Sequence, residues 1–189
     1  MLILASQSPR RRELLAKLNI PFQVEVADVD EHPLPEESPR QLVARLSRLK
    51  AEASAGPGKV VIAADTVVVQ DEKILGKPAD EQEAKAMLMA LSGRTHQVMT
   101  GVTVLKDGKA ATHTEITQVT FRTLTEGEIS RYIAGGEPMD KAGAYGIQGG
   151  AGVFVEAICG DYYNVVGLPL CRLWRLLGQV APELLEDPQ

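Results

Sequence analysis

Residues 59–70 read KVVIAADTVVVQ, and from Val60 to Val69 every residue is apolar except Asp65 and Thr66 at the centre. A half-exposed strand would alternate apolar with polar. A near-continuous run of this kind is instead a strand covered on both faces. Such a strand obliges the chain to supply layers on either side, which points to an α/β domain. An ionised carboxylate in its middle is costly unless a cation, a metal or hydrogen-bond donors compensate it. Asp65 is therefore either a structural group satisfied by backbone N–H or a group held for chemistry, and the pattern favours chemistry.

A second anomaly lies near the N-terminus, where the apolar run Leu2–Ala5 reads as a short buried strand before SQSPRRRELL at 6–15. Ser8 and Pro9 suit the N-cap and first helical position, which puts Arg10, Arg11 and Arg12 in the first turn. That end of a helix already carries partial positive charge and unpaired N–H groups, so three cations oppose the macrodipole. A polyanion would resolve the conflict, since helix N-termini and arginines both favour phosphate. The plainer alternative is that the arginines splay into solvent or meet carboxylates nearby.

The remaining pattern supports one mixed sheet with helices packed on it, in a single domain over 1–189. Phe22–Val26 alternates as a strand, and Asp28–Pro33 is an acidic loop that is either solvated or able to hold a hard divalent cation. Ser38 with Gln41 forms a capping box for a helix with a core stripe of Leu42, Val43, Leu46, Leu49 and Ala53. Lys50 leaves from the edge of that stripe. Such a lysine ordinarily snorkels to solvent; the other reading points it into a cleft. A short strand precedes Gly76-Lys77-Pro78, whose neighbours fix the backbone at Lys77. Asp80 and Glu83 cap a third helix with Met87, Leu88 and Leu91 inward. Strands at 95–105 and 111–122 flank Asp107-Gly108, a hairpin turn whose threonines serve as β-formers. Thr125 and Glu128 open a fourth helix through Ile129, Tyr132 and Ile133. The glycine-rich stretch 140–150 matches neither a Walker A loop nor a dinucleotide fingerprint. Val153–Ile158 and Val165-Val166 are expected to form a last hairpin, followed by a helix with Leu170, Leu173, Trp174 and Leu177 inward. The tail after Pro182 is expected to fray.

Composition excludes several classes of function. The net charge of −5 argues against a general nucleic-acid binder. The two cysteines, Cys159 and Cys171, have no metal-ligand or disulfide-framework spacing. No apolar run is long enough to span a membrane, and the N-terminus is not ordered like a signal peptide, so a cytoplasmic location is expected. His32, His96 and His113 show neither zinc-ligand spacing nor a Ser–His–Asp arrangement. The polar residues left without a bland explanation are Arg10, Arg11, Arg12, Glu31, Lys50, Asp65 and Lys77. They combine cations suited to several phosphates with carboxylates suited to a divalent metal. That set fits metal-assisted attack of water on a phosphate ester or anhydride.

Over residues 2–178 the chain closely resembles the Maf-type nucleoside triphosphate pyrophosphatases. The matching segments are SQSPRRRELL, AADTVV at 63–68, GKP at 76–78, SGRTHQVMTG at 92–101, EPMDKAGAYGIQG at 137–149 and GDYYNVVGLP at 160–169. The resemblance implies an elongated mixed sheet in two lobes with a deep cleft, as in inosine triphosphate pyrophosphatases. It implies cleavage of a nucleoside triphosphate between the α and β phosphates, with a divalent cation, Mg or Mn, held by Glu31 and Asp65. Asp65 matches the family's proton acceptor, and Glu31, Lys50 and Lys77 match its catalytic carboxylate and lysines. Ser6 and the arginines match its phosphate-binding N-terminus. Arg10, Thr66 and Gln148 match the branch acting on dTTP and UTP. The branch acting on 7-methyl-GTP instead carries an aromatic, Gln and Glu there. An amide such as Gln148 can offer a donor and an acceptor to a pyrimidine edge. The resemblance also suggests house-cleaning of nucleotide pools and a homodimer, while net charge and hydropathy lead us to expect no nucleic-acid or membrane partner. The rival readings are a purine triphosphate pyrophosphatase and a nucleotide-sensing regulator of septum formation and cell division.

Overall fold

The computed structural model describes residues 1–26 and 28–186. Among these, seven strands form one mixed sheet flanked by helices. They are β1 (Leu2–Ala5), β2 (Phe22–Glu25), β3 (Val60–Gln70), β4 (Lys73–Leu75), β5 (Thr95–Lys106), β6 (Lys109–Phe121) and β7 (Val155–Cys159). The order is β2-β1-β3-β5-β6-β7, with β4 paired to β3. As the valine run requires, β3 is buried along its whole length except at the half-buried Thr66. The chain divides into two compact units. The first takes Met1–Asp65, Thr100–Glu115 and the segment from Gly167 onward; the second takes Thr66–Met99 and Ile116–Val166. Neither unit is contiguous in sequence, because β3, β5 and β6 each run through both.

In the first unit β1 pairs in parallel with β2 (Leu4↔Val24) and with β3 (Leu4↔Ile62). Helices α1 (Pro9–Ala16) and α2 (Pro39–Ala53) start at the expected caps, with Ser8 accepting from the Arg11 N–H and Ser38 from the Gln41 N–H. α2 buries Leu42, Val43, Leu46, Ser47 and Ala51, while Leu49 is half-buried and Ala53 exposed. The inward face thus follows 43, 47 and 51, spaced by one helical turn, rather than the apolar residues alone. Ser47 is polar yet buried because its hydroxyl meets Thr103 Oγ1 at 2.9 Å, which in turn meets Thr112 Oγ1 at 2.8 Å. α2 lies so close to β5 that a Cβ on Gly101 would collide with the Val43 carbonyl. Helix α6 (Leu170–Val180) closes this unit's run of helices, and Glu183 in the short turn Pro182–Leu184 meets Lys106 at 2.7 Å. The chain beyond Pro182 is therefore tethered rather than frayed up to this contact; residues 187–189 of the tail lie outside the described residues.

The second unit packs helices α3 (Glu81–Leu91) and α4 (Glu126–Ala134) around its own core, which includes Val68, Leu88, Leu91, Phe121, Ile129 and Phe154. Asp80 caps α3, and Thr125 with Glu128 forms the capping box of α4. Four aromatic rings, Phe121, Tyr132, Tyr145 and Phe154, meet edge to face here, with His96 against Phe121 and Tyr145.

Two expectations about the C-terminal third fail. The stretch 162–166 is a one-turn helix, α5 (Tyr162–Val166), and not the return strand of a hairpin. Asp161 Oδ1 accepts the N–H groups of Tyr163 and Asn164, and the buried Asn164 amide donates to the Val98 carbonyl and Thr117 Oγ1. These side-chain bonds offer the backbone a local turn in place of a ladder. β7 pairs antiparallel with β6 instead, and Val153-Phe154 belong to a 3₁₀ turn. In the last helix, α6 (Leu170–Val180), Leu170, Leu173, Leu176, Leu177 and Val180 are buried, whereas Trp174 is 43% exposed. Trp174 lies roughly 100° round the helix from the centre of that leucine face. Among the described residues no helix is long and apolar enough to cross a membrane.

Candidate active site

Asp65 ends the first unit's share of β3, and its carboxylate is nearly buried. Its compensation is a cation. Lys50 Nζ donates to Asp65 Oδ1 at 2.7 Å, and the same ammonium lies 2.9 Å from Glu31 Oε1. The Lys50 and Asp65 side chains each keep only 12% of their exposure, against 59% for Glu31. Lys50 therefore does not snorkel to solvent as a lysine at a stripe edge ordinarily would. It sits beside the 43–47–51 face of α2 and turns in toward the strand.

Arg11 completes this group. Its Nε donates to the Gly167 carbonyl at 2.8 Å and its Nη1 to Ser6 Oγ at 3.4 Å. Burial lowers its pKa, while the Asp65 and Glu31 carboxylates pull it back up and Arg10 lowers it further. The guanidinium thus feels both carboxylates. Ser6 Oγ also accepts the Ser8 N–H at 3.2 Å, tying it to the start of α1. Arg10 is half-buried and Arg12 exposed. Among the described residues the structure brings Ser6, Arg11, Glu31, Lys50 and Asp65 into one hydrogen-bonded and electrostatic cluster.

Three other expected residues, Thr66, Lys77 and Gln148, belong to the second unit. Thr66, half-buried, follows Asp65 along β3. Lys77 is exposed after β4, where the preceding Gly76 carbonyl accepts the Gly143 N–H at 3.0 Å. Gln148 is exposed in a turn whose Gly149 N–H donates to the Gly146 carbonyl at 3.1 Å.

Sequence reasoning missed the strap that shapes the acidic loop. Arg45 on α2 grips Glu37 through Nε to Oε1 at 2.6 Å and Nη2 to Oε2 at 2.7 Å, and donates to the His32 carbonyl at 3.0 Å. Arg45 holds the Glu37 carboxyl below the usual range, and Glu37 raises Arg45 in return. Glu31 therefore sits in a loop pinned to α2, the helix that carries Lys50. The missed signal was a carboxylate just before the N-cap with an arginine two turns into the helix. The role of Gly167 had none, since a backbone carbonyl has no sequence identity. A separate cavity of about 470 Å³ in the first unit, lined by Lys59, Val61, Leu105 and Lys106 among others, includes none of these residues.

No cluster of three or more His, Cys, Asp or Glu suited to a metal occurs among the described residues. Glu31 and Asp65 form a two-carboxylate set. That fits a hard cation such as Mg²⁺, which takes one or two protein carboxylates and completes its shell with water and substrate phosphates.

The sequence profile of the family described as Maf-like protein matches residues 1–180. The chain belongs to the Maf family. Curated relatives agree. A protein from Symbiobacterium thermophilum named dTTP/UTP pyrophosphatase is 53% identical over 94% of this chain and 93% of its own length. Proteins of the same name from Bacillus mycoides and Bacillus cytotoxicus are 52% and 53% identical, each over 94% of both chains. Among solved structures, a HAM1 protein from Coxiella burnetii aligns with 64% of this Maf chain and 72% of its own, at TM-score 0.42 and 18% identity. The Maf match spans every residue of the cluster described above.

Proposed function

We propose that this Maf protein is a cytoplasmic dTTP/UTP pyrophosphatase. It hydrolyses pyrimidine triphosphates, modified ones included, between the α and β phosphates and so cleans nucleotide pools. The observation that carries the reading is the Glu31–Lys50–Asp65 cluster beside Arg11, in a chain 51–53% identical to proteins bearing that name. In this reading Arg11, Ser6 and the open end of α1 bind phosphate oxygens, and Lys77 adds a further cation. A divalent cation held by Glu31 and Asp65 would neutralise phosphate charge. Asp65 takes a proton from water as the water oxygen bonds to phosphorus. The bond from that phosphorus to the bridging oxygen breaks, and monophosphate and diphosphate leave. Lys50 aims the Asp65 carboxylate through their hydrogen bond, and Glu31 balances the same ammonium. Arg10, Thr66 and Gln148 select the base.

Diphosphate release across a panel of nucleoside triphosphates with Mg²⁺ or Mn²⁺ tests this. dTTP and UTP should be the best substrates, and Asp65→Asn should lower turnover about 10³-fold. Equal turnover by Asp65→Asn would remove the assigned role of Asp65. A preference for 7-methyl-GTP or another purine triphosphate would overturn the base assignment. Wild type that binds triphosphates without hydrolysing them would point to a nucleotide sensor.

A further inference from the structure

The segment that presents Gln148 is held by a device that the reaction does not use. Residues 146–149 form a tight turn, closed by the Gly149 N–H to the Gly146 carbonyl. On the entering side the Gly146 N–H donates to Tyr132 Oη at 3.2 Å. On the leaving side the Gly150 N–H donates to Glu137 Oε2 at 2.8 Å. The two sides are joined, because the Tyr132 hydroxyl donates to Glu137 Oε1 at 3.1 Å. One carboxylate therefore fixes both ends of the turn, each oxygen taking one end.

Both anchors are themselves held by neighbours. Tyr132 lies on α4 behind the Thr125–Glu128 capping box, is 8% exposed, and meets Phe154 edge to face at 5.2 Å. Glu137 begins a 3₁₀ turn, and its carbonyl accepts from Lys141 Nζ at 2.7 Å. Gly149 must be glycine for the bracket to close, since a Cβ there would fall on the Glu137 carboxylate. A half-buried carboxylate paired through both oxygens, spanning a turn with an exposed amide at its tip, is more than packing needs. A hydrophobic residue would hold the loop down, but it would not fix the backbone direction at 148.

We propose that Glu137 is the positioning residue for base selection: with Tyr132 it sets the backbone from which Gln148 reaches the nucleobase. This rests on the reading of Gln148 given above. Glu137 does not touch substrate; it acts through the turn.

The test compares wild type with Glu137→Ala, Glu137→Gln, Gly149→Ala and Gln148→Ala, measuring kcat and KM for dTTP, UTP and dGTP. Glu137→Gln keeps both contacts, its amide oxygen taking the Gly150 N–H and its NH₂ group facing Tyr132 Oη, so it should stay within about threefold of wild type. Glu137→Ala, Gly149→Ala and Gln148→Ala should each lose about tenfold of the dTTP-over-dGTP preference, chiefly through KM for dTTP. An unchanged preference in Glu137→Ala would overturn the proposal. So would an equal loss on every triphosphate, which is the mark of a purely structural role. If wild type hydrolyses none of these nucleotides, the proposed function fails separately. Amide exchange then judges the bracket itself: exchange at 146–150 should be faster in Glu137→Ala than in Glu137→Gln, and equal rates overturn it.

Discussion

The two units handle buried polarity in opposite ways. In the first, Asp65 and Lys50 are both nearly buried and placed within 2.7 Å of each other, with Glu31 and Arg11 alongside. In the second, the buried pair is His96 and Tyr145, joined at 2.8 Å between His96 Nε2 and Tyr145 Oη. Here burial removes charge rather than matching it: it lowers the His96 pKa to about 4 and pushes the Tyr145 hydroxyl well above its ordinary value. Among the described residues the buried His96 Nδ1 has no hydrogen-bond partner, as a neutral ring tolerates and an imidazolium would not. Charge is kept where phosphate chemistry is proposed and suppressed where the core needs packing.

Breaking the charged pair should have the largest effect. Lys50→Met should lower turnover about 10³-fold and cost ~3 kcal/mol of stability, because the nearly buried Asp65 loses its hydrogen-bonded cation. Lys50→Met with Asp65→Asn should regain most of that stability but no activity, a split read by urea unfolding beside the diphosphate assay. Full stability of Lys50→Met alone would mean that the carboxylate is satisfied without its lysine.

The neutral pair should show itself through pH. The folded His96 pKa lies below the ordinary 6.5, so the unfolded chain binds the extra proton. This contribution is fully present above pH 6.5 and is lost as pH falls toward about 4, by at most ~3 kcal/mol. His96→Gln cannot titrate and should lose less stability between pH 7 and 4.5 than wild type does, measured by denaturant unfolding at both values. Parallel losses would show that other groups carry the acid sensitivity.

A smaller effect separates the neighbouring arginines. Arg11→Lys cannot keep both the Gly167 and Ser6 contacts, and should raise KM for dTTP about tenfold. Arg12→Ala, which removes an exposed side chain, should change it by less than about twofold. A reversed order would move the phosphate contact to Arg12.

Much of this was legible in the chain because local rules set it. The valine run made β3 a fully covered strand, Ser8-Pro9 and Ser38–Gln41 started α1 and α2, and Asp107-Gly108 turned β5 into β6. The oddity of Asp65 was visible because a carboxylate breaks an apolar period. The Asp161–Val166 stretch misled because Asp161 and Asn164 find backbone partners that local pattern does not reveal, one of them at Val98. Trp174 misled because hydrophobicity alone does not say which flank of a helix faces the core.

By itself the sequence determined the layered α/β class, the helix starts and the set of residues that break the apolar or capping pattern, since these depend on neighbours within a few positions. Only the tertiary structure decided which of those residues meet. Lys50 turns inward because α2 lies flush on β5 at Gly101, Arg11 is held by a carbonyl from Gly167, and one carboxylate, Glu137, pins both ends of a turn. Each of these is a contact between segments far apart in the chain or through a backbone atom common to all residues, and local pattern carries no record of either.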